Sequence, residues 1–127
     1  MVLGRVRLGY VVSILVGRWQ PRRAYAPEMI IEVDPTTGAT IEDAAVFTGF
    51  NATSTTDDKD VVGAAMGAAG HAADDDAHVW VSADWIRATV AGDAEWTAGF
   101  DAMVAFARSK GWMNDAGTHI LAHIEIA

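Results

Sequence analysis

The sequence predicts an α+β domain: a mostly antiparallel sheet with helices on one face, a two-layer sandwich. Three observations predict it. Residues 93–112 (DAEWTAGFDAMVAFARSKGW) repeat Trp96, Phe100, Met103, Val104 and Ala107 at helical spacing. Residues 119–126 (HILAHIEI) alternate, with Ile120, Ala122, Ile124 and Ile126 on one side and His119, Leu121, His123 and Glu125 on the other. The remaining segments follow in the order strand, strand, helix, strand, helix, before that long helix and last strand. This is not a regular strand–helix alternation.

Charge divides the 127 residues in two. Residues 1–27 hold Arg5, Arg7, Arg18, Arg22 and Arg23 and no acid, so they carry +5. Residues 28–127 set Lys59, Arg87, Arg108 and Lys110 against all 17 acids, so they carry −13, and the whole is −8. We therefore expect residues 1–28 to be a basic, apolar extension and residues 29–127 to be one acidic domain. A chain of this size can bury a core without staples. It has no cysteine, which excludes disulfides, thiolate metal sites and a cysteine nucleophile. A body so acidic repels phosphate backbones, so no nucleic-acid partner is expected.

Residues 8–17 (LGYVVSILVG) are apolar but far short of the roughly 20 residues that span a bilayer. Their length suits a signal-peptide core, and Ala24-Tyr25-Ala26 has the form of a cleavage site. Arg18, Arg22 and Arg23 in between, and Pro27 just after, argue against one. An element packed on the domain, a poor export signal and a natural start at Met29 remain as readings. A non-native or poorly ordered extension fits the abrupt change in composition best. Any membrane contact is expected through residues 1–28 alone. A cytoplasmic location is the expectation, with export as the alternative.

From Met29 the elements come in order. MIIEV (29–33) is short and β-branched, hence a strand. Asp34-Pro35-Thr36-Thr37-Gly38 supplies turn chemistry. AAVFTGF (44–50) is the candidate second strand, in a hairpin or a loosely connected pair, with a helical turn starting in residues 41–46 as the alternative. Thr55 or Thr56 is placed to cap a helix running from the acids at 57–60 to about residue 72. Gly63, Gly67 and Gly70 then share one helical face, suited to close packing or self-association. They lack the strand and the spacing of a phosphate-binding loop. HVWV (78–81) is the next strand. Ser82 caps a short helix over 83–91, Gly92 ends it, and Asp93 caps the long helix. Gly111 is a C′ residue, and Trp112 is expected to fold back on Phe106 or Ala107.

Few residues offer chemistry. His119 and His123 are four apart, but on a strand that is about 13 Å, too far to share a metal ion. Asp74-Asp75-Asp76, with His71 and His78 nearby, lacks the alternate ligands of a calcium loop and reads as a solvated turn. No metal site and no cofactor are expected. His123 and Glu125 share a strand face and are the candidate base and orienting carboxylate. Their bland reading is the wet side of an edge strand. Trp80, Trp85, Trp96 and Trp112, with Phe100, are the candidate ligand or interface residues. The competing reading of these rings is ordinary core.

No activity can be assigned on these grounds. The expected function is a small non-catalytic ligand- or protein-binding domain that self-associates through the Gly63/Gly67/Gly70 face. The alternative is a small acid–base enzyme, of isomerase, lyase or hydrolase type, using His123 and Glu125.

Overall fold

The computed structural model describes residues 28–127. The readings made for residues 1–27, including the export signal and the membrane contact, lie outside the described residues. The described chain is α+β, a six-stranded curled sheet with three helices. In chain order it runs β1 (Met29–Asp34), β2 (Gly38–Glu42), β3 (Phe50–Ser54), α1 (Lys59–Met66), a 3-10 turn (Gly67–Ala69), β4 (Gly70–Ala72), β5 (His78–Ser82), α2 (Ala83–Val90), α3 (Ala94–Ser109) and β6 (His119–Ile126).

The strands lie in the order β2-β1-β3-β6-β5-β4. The pairs β1/β2, β5/β6 and β4/β5 are antiparallel, but β1/β3 and β3/β6 are parallel. The sheet is therefore mixed, where the sequence predicted a mostly antiparallel one. The hairpin is present, with its second strand earlier than expected. Asp34 Oδ1 accepts from the Thr36 and Thr37 amides and turns the chain at once, so Gly38–Glu42 returns along β1. Residues 44–49 are loop instead of strand, and pairing resumes at Phe50.

The expected helix over 57–72 is also shorter. Asp58, not Thr55 or Thr56, caps it, accepting from the Asp60 and Val61 amides. The helix stops at Met66, where Gly67 takes a positive φ of 56°. Gly70–Ala72 is strand β4. A side chain at Gly70 would overlap the carbonyl oxygen of Trp80 on β5, so only glycine lets the strands pair there. Gly63 instead abuts the Ala72 backbone. The three glycines thus occupy a helix, its end and a strand, and they share no helical face.

The later elements match their expected places. Ser82 Oγ accepts from the Trp85 amide and starts α2, which ends in a left-handed Ala91 rather than at Gly92. Asp93 accepts from the Trp96 amide and starts α3. At its other end the Trp112 amide donates to Ala107 and the Gly111 amide to Arg108, a Schellman closure.

One core joins these elements. Met29, Ile31, Val33, Ala52, Val79, Val81, Ile120, Ala122 and Ile124 face Val62, Met66, Ile86, Phe100, Met103, Val104 and Ala107 of the helices. The alternation expected for 119–126 is observed, with Ile126 emerging into solvent at its end. Ile30, Trp80 and Leu121 have the opposite parity and stand outside this core, on the other face of the sheet. No helix among the described residues is long and apolar enough to cross a membrane.

Candidate functional site

All four histidines of the chain stand on that second face. β5 and β6 set His78 directly opposite His123 and Ser82 opposite His119, while β4 sets His71 opposite Trp80. The rings meet in two pairs. The His78 and His123 centroids are 5.3 Å apart at 75°, and those of His71 and His119 are 5.0 Å apart at 58°.

Each member of the first pair has a carboxylate beside it. Asp75 Oδ1 lies 2.9 Å from His78 Nδ1 and also accepts from the Ala77 amide at 2.9 Å. These contacts, the Ala77 amide first, hold the Asp75 carboxyl below its usual range. Glu125 Oε2 lies 3.9 Å from His123 Nδ1, so the candidate base and its orienting carboxylate are neighbours at ion-pair distance. The His123 side chain is 55% exposed, which denies it the water-excluded setting that sharpens acid–base catalysis.

His119 differs. Its Nδ1 is 2.7 Å from Thr118 Oγ1, and its amide donates to Asn114 Oδ1. Burial and then the neighbouring His71 push its pKa down, against a smaller upward pull from Asp84. Among the described residues no three His, Asp or Glu side chains group as a metal site.

The aromatic candidates separate into several places. Trp96 stacks on Phe100 at 5.0 Å and 9°, with the Phe47 ring tilted at 58° and 6.1 Å away. Its Nε1 donates to the Ala44 carbonyl at 2.7 Å, so its polar tip is already occupied. Phe100 is fully buried, with the Arg87 guanidinium 4.7 Å from its centroid, and Arg87 is also paired with Asp101 at 2.6 Å. Trp85 packs against the same core from α2. Trp80 is across the sheet.

Trp112 is apart from all of these. Its ring meets Phe106 edge-on at 5.9 Å, and the two are 45% and 56% exposed. Lys110 Nζ lies 5.5 Å from the Phe106 centroid. The Trp112 backbone is held at both ends, its amide by Ala107 and its carbonyl by the Leu121 amide at 2.8 Å. The result is a fixed aromatic ridge at the end of α3, with Lys110 beside it.

Sequence reasoning missed His71 and His78 as partners of the other two histidines, and Lys110 as part of the ridge; the fold-back of Trp112 on Phe106 was expected and is observed. For the ridge a signal existed: Phe106 and Trp112 flank the predicted helix end. For the histidines it did not, because their pairing depends on strand register. Comparison of the chain with protein-family models, with curated proteins and with solved structures finds no match.

Proposed function

We propose that this chain is a non-catalytic binding domain that associates with a second copy of itself through the Phe106–Trp112 ridge. The observation that carries this is two large aromatic rings, each about half exposed, on backbone fixed by the Schellman closure and by β6. Rigid exposed aromatics lose little entropy on docking and are the usual anchors of protein interfaces. The ridge also carries Lys110, one of the four cations of residues 28–127. A second copy supplies an acidic complement to it.

The acid–base reading is the weaker one. It rests on Glu125 beside His123, and the exposure of that imidazole counts against it.

Sedimentation of the full chain over a wide concentration range tests the proposal. Reversible association is expected, weakened at least tenfold by Trp112→Ala and by Phe106→Ala, and reduced by salt. A monomer at every concentration, or association indifferent to both substitutions, overturns it. Both rings lie outside the core, so the variants are expected to stay folded.

A further inference from the structure

We infer that His78 and His123 form a two-imidazole half-site for a first-row divalent metal ion of the zinc, nickel or copper class. The inference concerns the face of the sheet opposite the core and is independent of the aromatic ridge.

Register comes first. His78 and His123 are direct cross-strand partners on β5 and β6, so the pleat points both side chains the same way. Separation comes next. An imidazole nitrogen sits about 2.1 Å from such an ion, and the ring centre lies about 1.1 Å behind it. Two rings on one tetrahedral ion therefore have centres about 5.2 Å apart. The observed separation is 5.3 Å; the 5.0 Å of His71 and His119 fits too, so separation permits a shared ion and the choice of pair rests on register and orientation.

The third argument is orientation. Metal-binding histidines characteristically give their second nitrogen to a carboxylate or carbonyl, which fixes the tautomer and leaves the other lone pair for the ion. Asp75 Oδ1 stands 2.9 Å from His78 Nδ1, so a proton shared there leaves Nε2 as the donor atom. Asp75 is itself steadied by the Ala77 amide. Glu125 Oε2 is on the Nδ1 side of His123 as well. Asp75 thus lies where a supporting group lies in built metal centres, while Glu125 is near His123 but beyond hydrogen-bond reach.

The other histidine pair lacks this support. His71 and His119 are not opposed in register, and His119 Nδ1 faces a threonine hydroxyl instead of a carboxylate. It serves as an internal control. With no third protein ligand grouped there among the described residues, water fills the remaining positions on the ion. That implies moderate affinity and an accessible coordination site.

The test uses the full chain with any polyhistidine tag removed, titrated calorimetrically with copper(II) or zinc(II) alone near neutral pH. One ion per chain is expected, with a micromolar dissociation constant. His78→Gln and His123→Gln are each expected to weaken binding at least tenfold, and Asp75→Asn about tenfold. His71→Gln is expected to leave it unchanged. In the unsubstituted protein, copper(II) should broaden the imidazole NMR signals of His78 and His123 before those of His71 and His119. No saturable binding below millimolar metal overturns the inference. So does binding that survives both glutamine substitutions, or broadening centred on His71 and His119.

Discussion

His119 shows how one residue's surroundings set a property of the folded chain. Burial disfavours its charged form, and His71, 5.0 Å away between ring centres, disfavours it further. Its pKa in the folded chain is therefore below the ordinary 6.5, Asp84 notwithstanding. Below pH 6.5 the unfolded chain takes up this proton more readily than the folded one. The stabilisation is complete above that value and is lost as the pH falls toward the folded pKa. Urea denaturation followed from pH 8 to pH 5 should show stability declining through the lower part of this range. His119→Asn, which removes the titrating group, should make the decline shallower. An identical slope in the variant would contradict this account. Ser54 shows the opposite situation: its buried hydroxyl finds no hydrogen-bond partner among the described residues, and no titration reveals it.

At the scale of elements, α3 is the case where local sequence suffices. Asp93 accepts from the Trp96 amide at 2.9 Å, and Glu95 adds charge in the first turn. Asp93→Ala should cost about 1 kcal/mol in urea denaturation, with the fold retained. A change within error would show that tertiary packing alone holds the helix start. The helix was legible because its stripe, its cap and its Schellman closure are all encoded within 20 consecutive residues. The same holds for β6, whose alternation is continuous. Elsewhere the decisive partner is far away in sequence. Gly70 looked like a third helical glycine, yet it lies in β4 because the Trp80 carbonyl approaches where a side chain would stand. Phe47 looked like strand, yet it lies in the loop and packs against Trp96. The candidate site divides similarly. Glu125 beside His123 follows from period-two geometry, whereas His78 opposite His123 needs the β5/β6 register. No spacing within either segment encodes that register.

The whole molecule depends on a narrow seam. β2, β1 and β3 form one half of the sheet, and β4, β5 and β6 form the other. Among the described residues their strands join where β3 runs parallel to the end of β6, through Ala52↔Ile124, Thr53↔Glu125 and Ser54↔Ile126. β6 therefore serves both halves, pairing His119–His123 with β5 and its last residues with β3. Helix α1 spans the same division on the core side, packing against β1 and β2 of one half and β4 and β5 of the other. A sheet joined in this way cannot lose one half without exposing the buried face of the other. Unfolding is therefore expected to be a single cooperative transition, as is usual for domains of this size. Ile124 is the seam residue that tests it, being 4% exposed and placed against Ala52. Ile124→Ala should cost about 2–5 kcal/mol. Amide exchange resolves whether that loss is shared. Protection at Ile31 in β1 and Val79 in β5, both fully buried, should fall by the same factor. If only one half loses protection, the halves are separate folding units and α1 does not couple them.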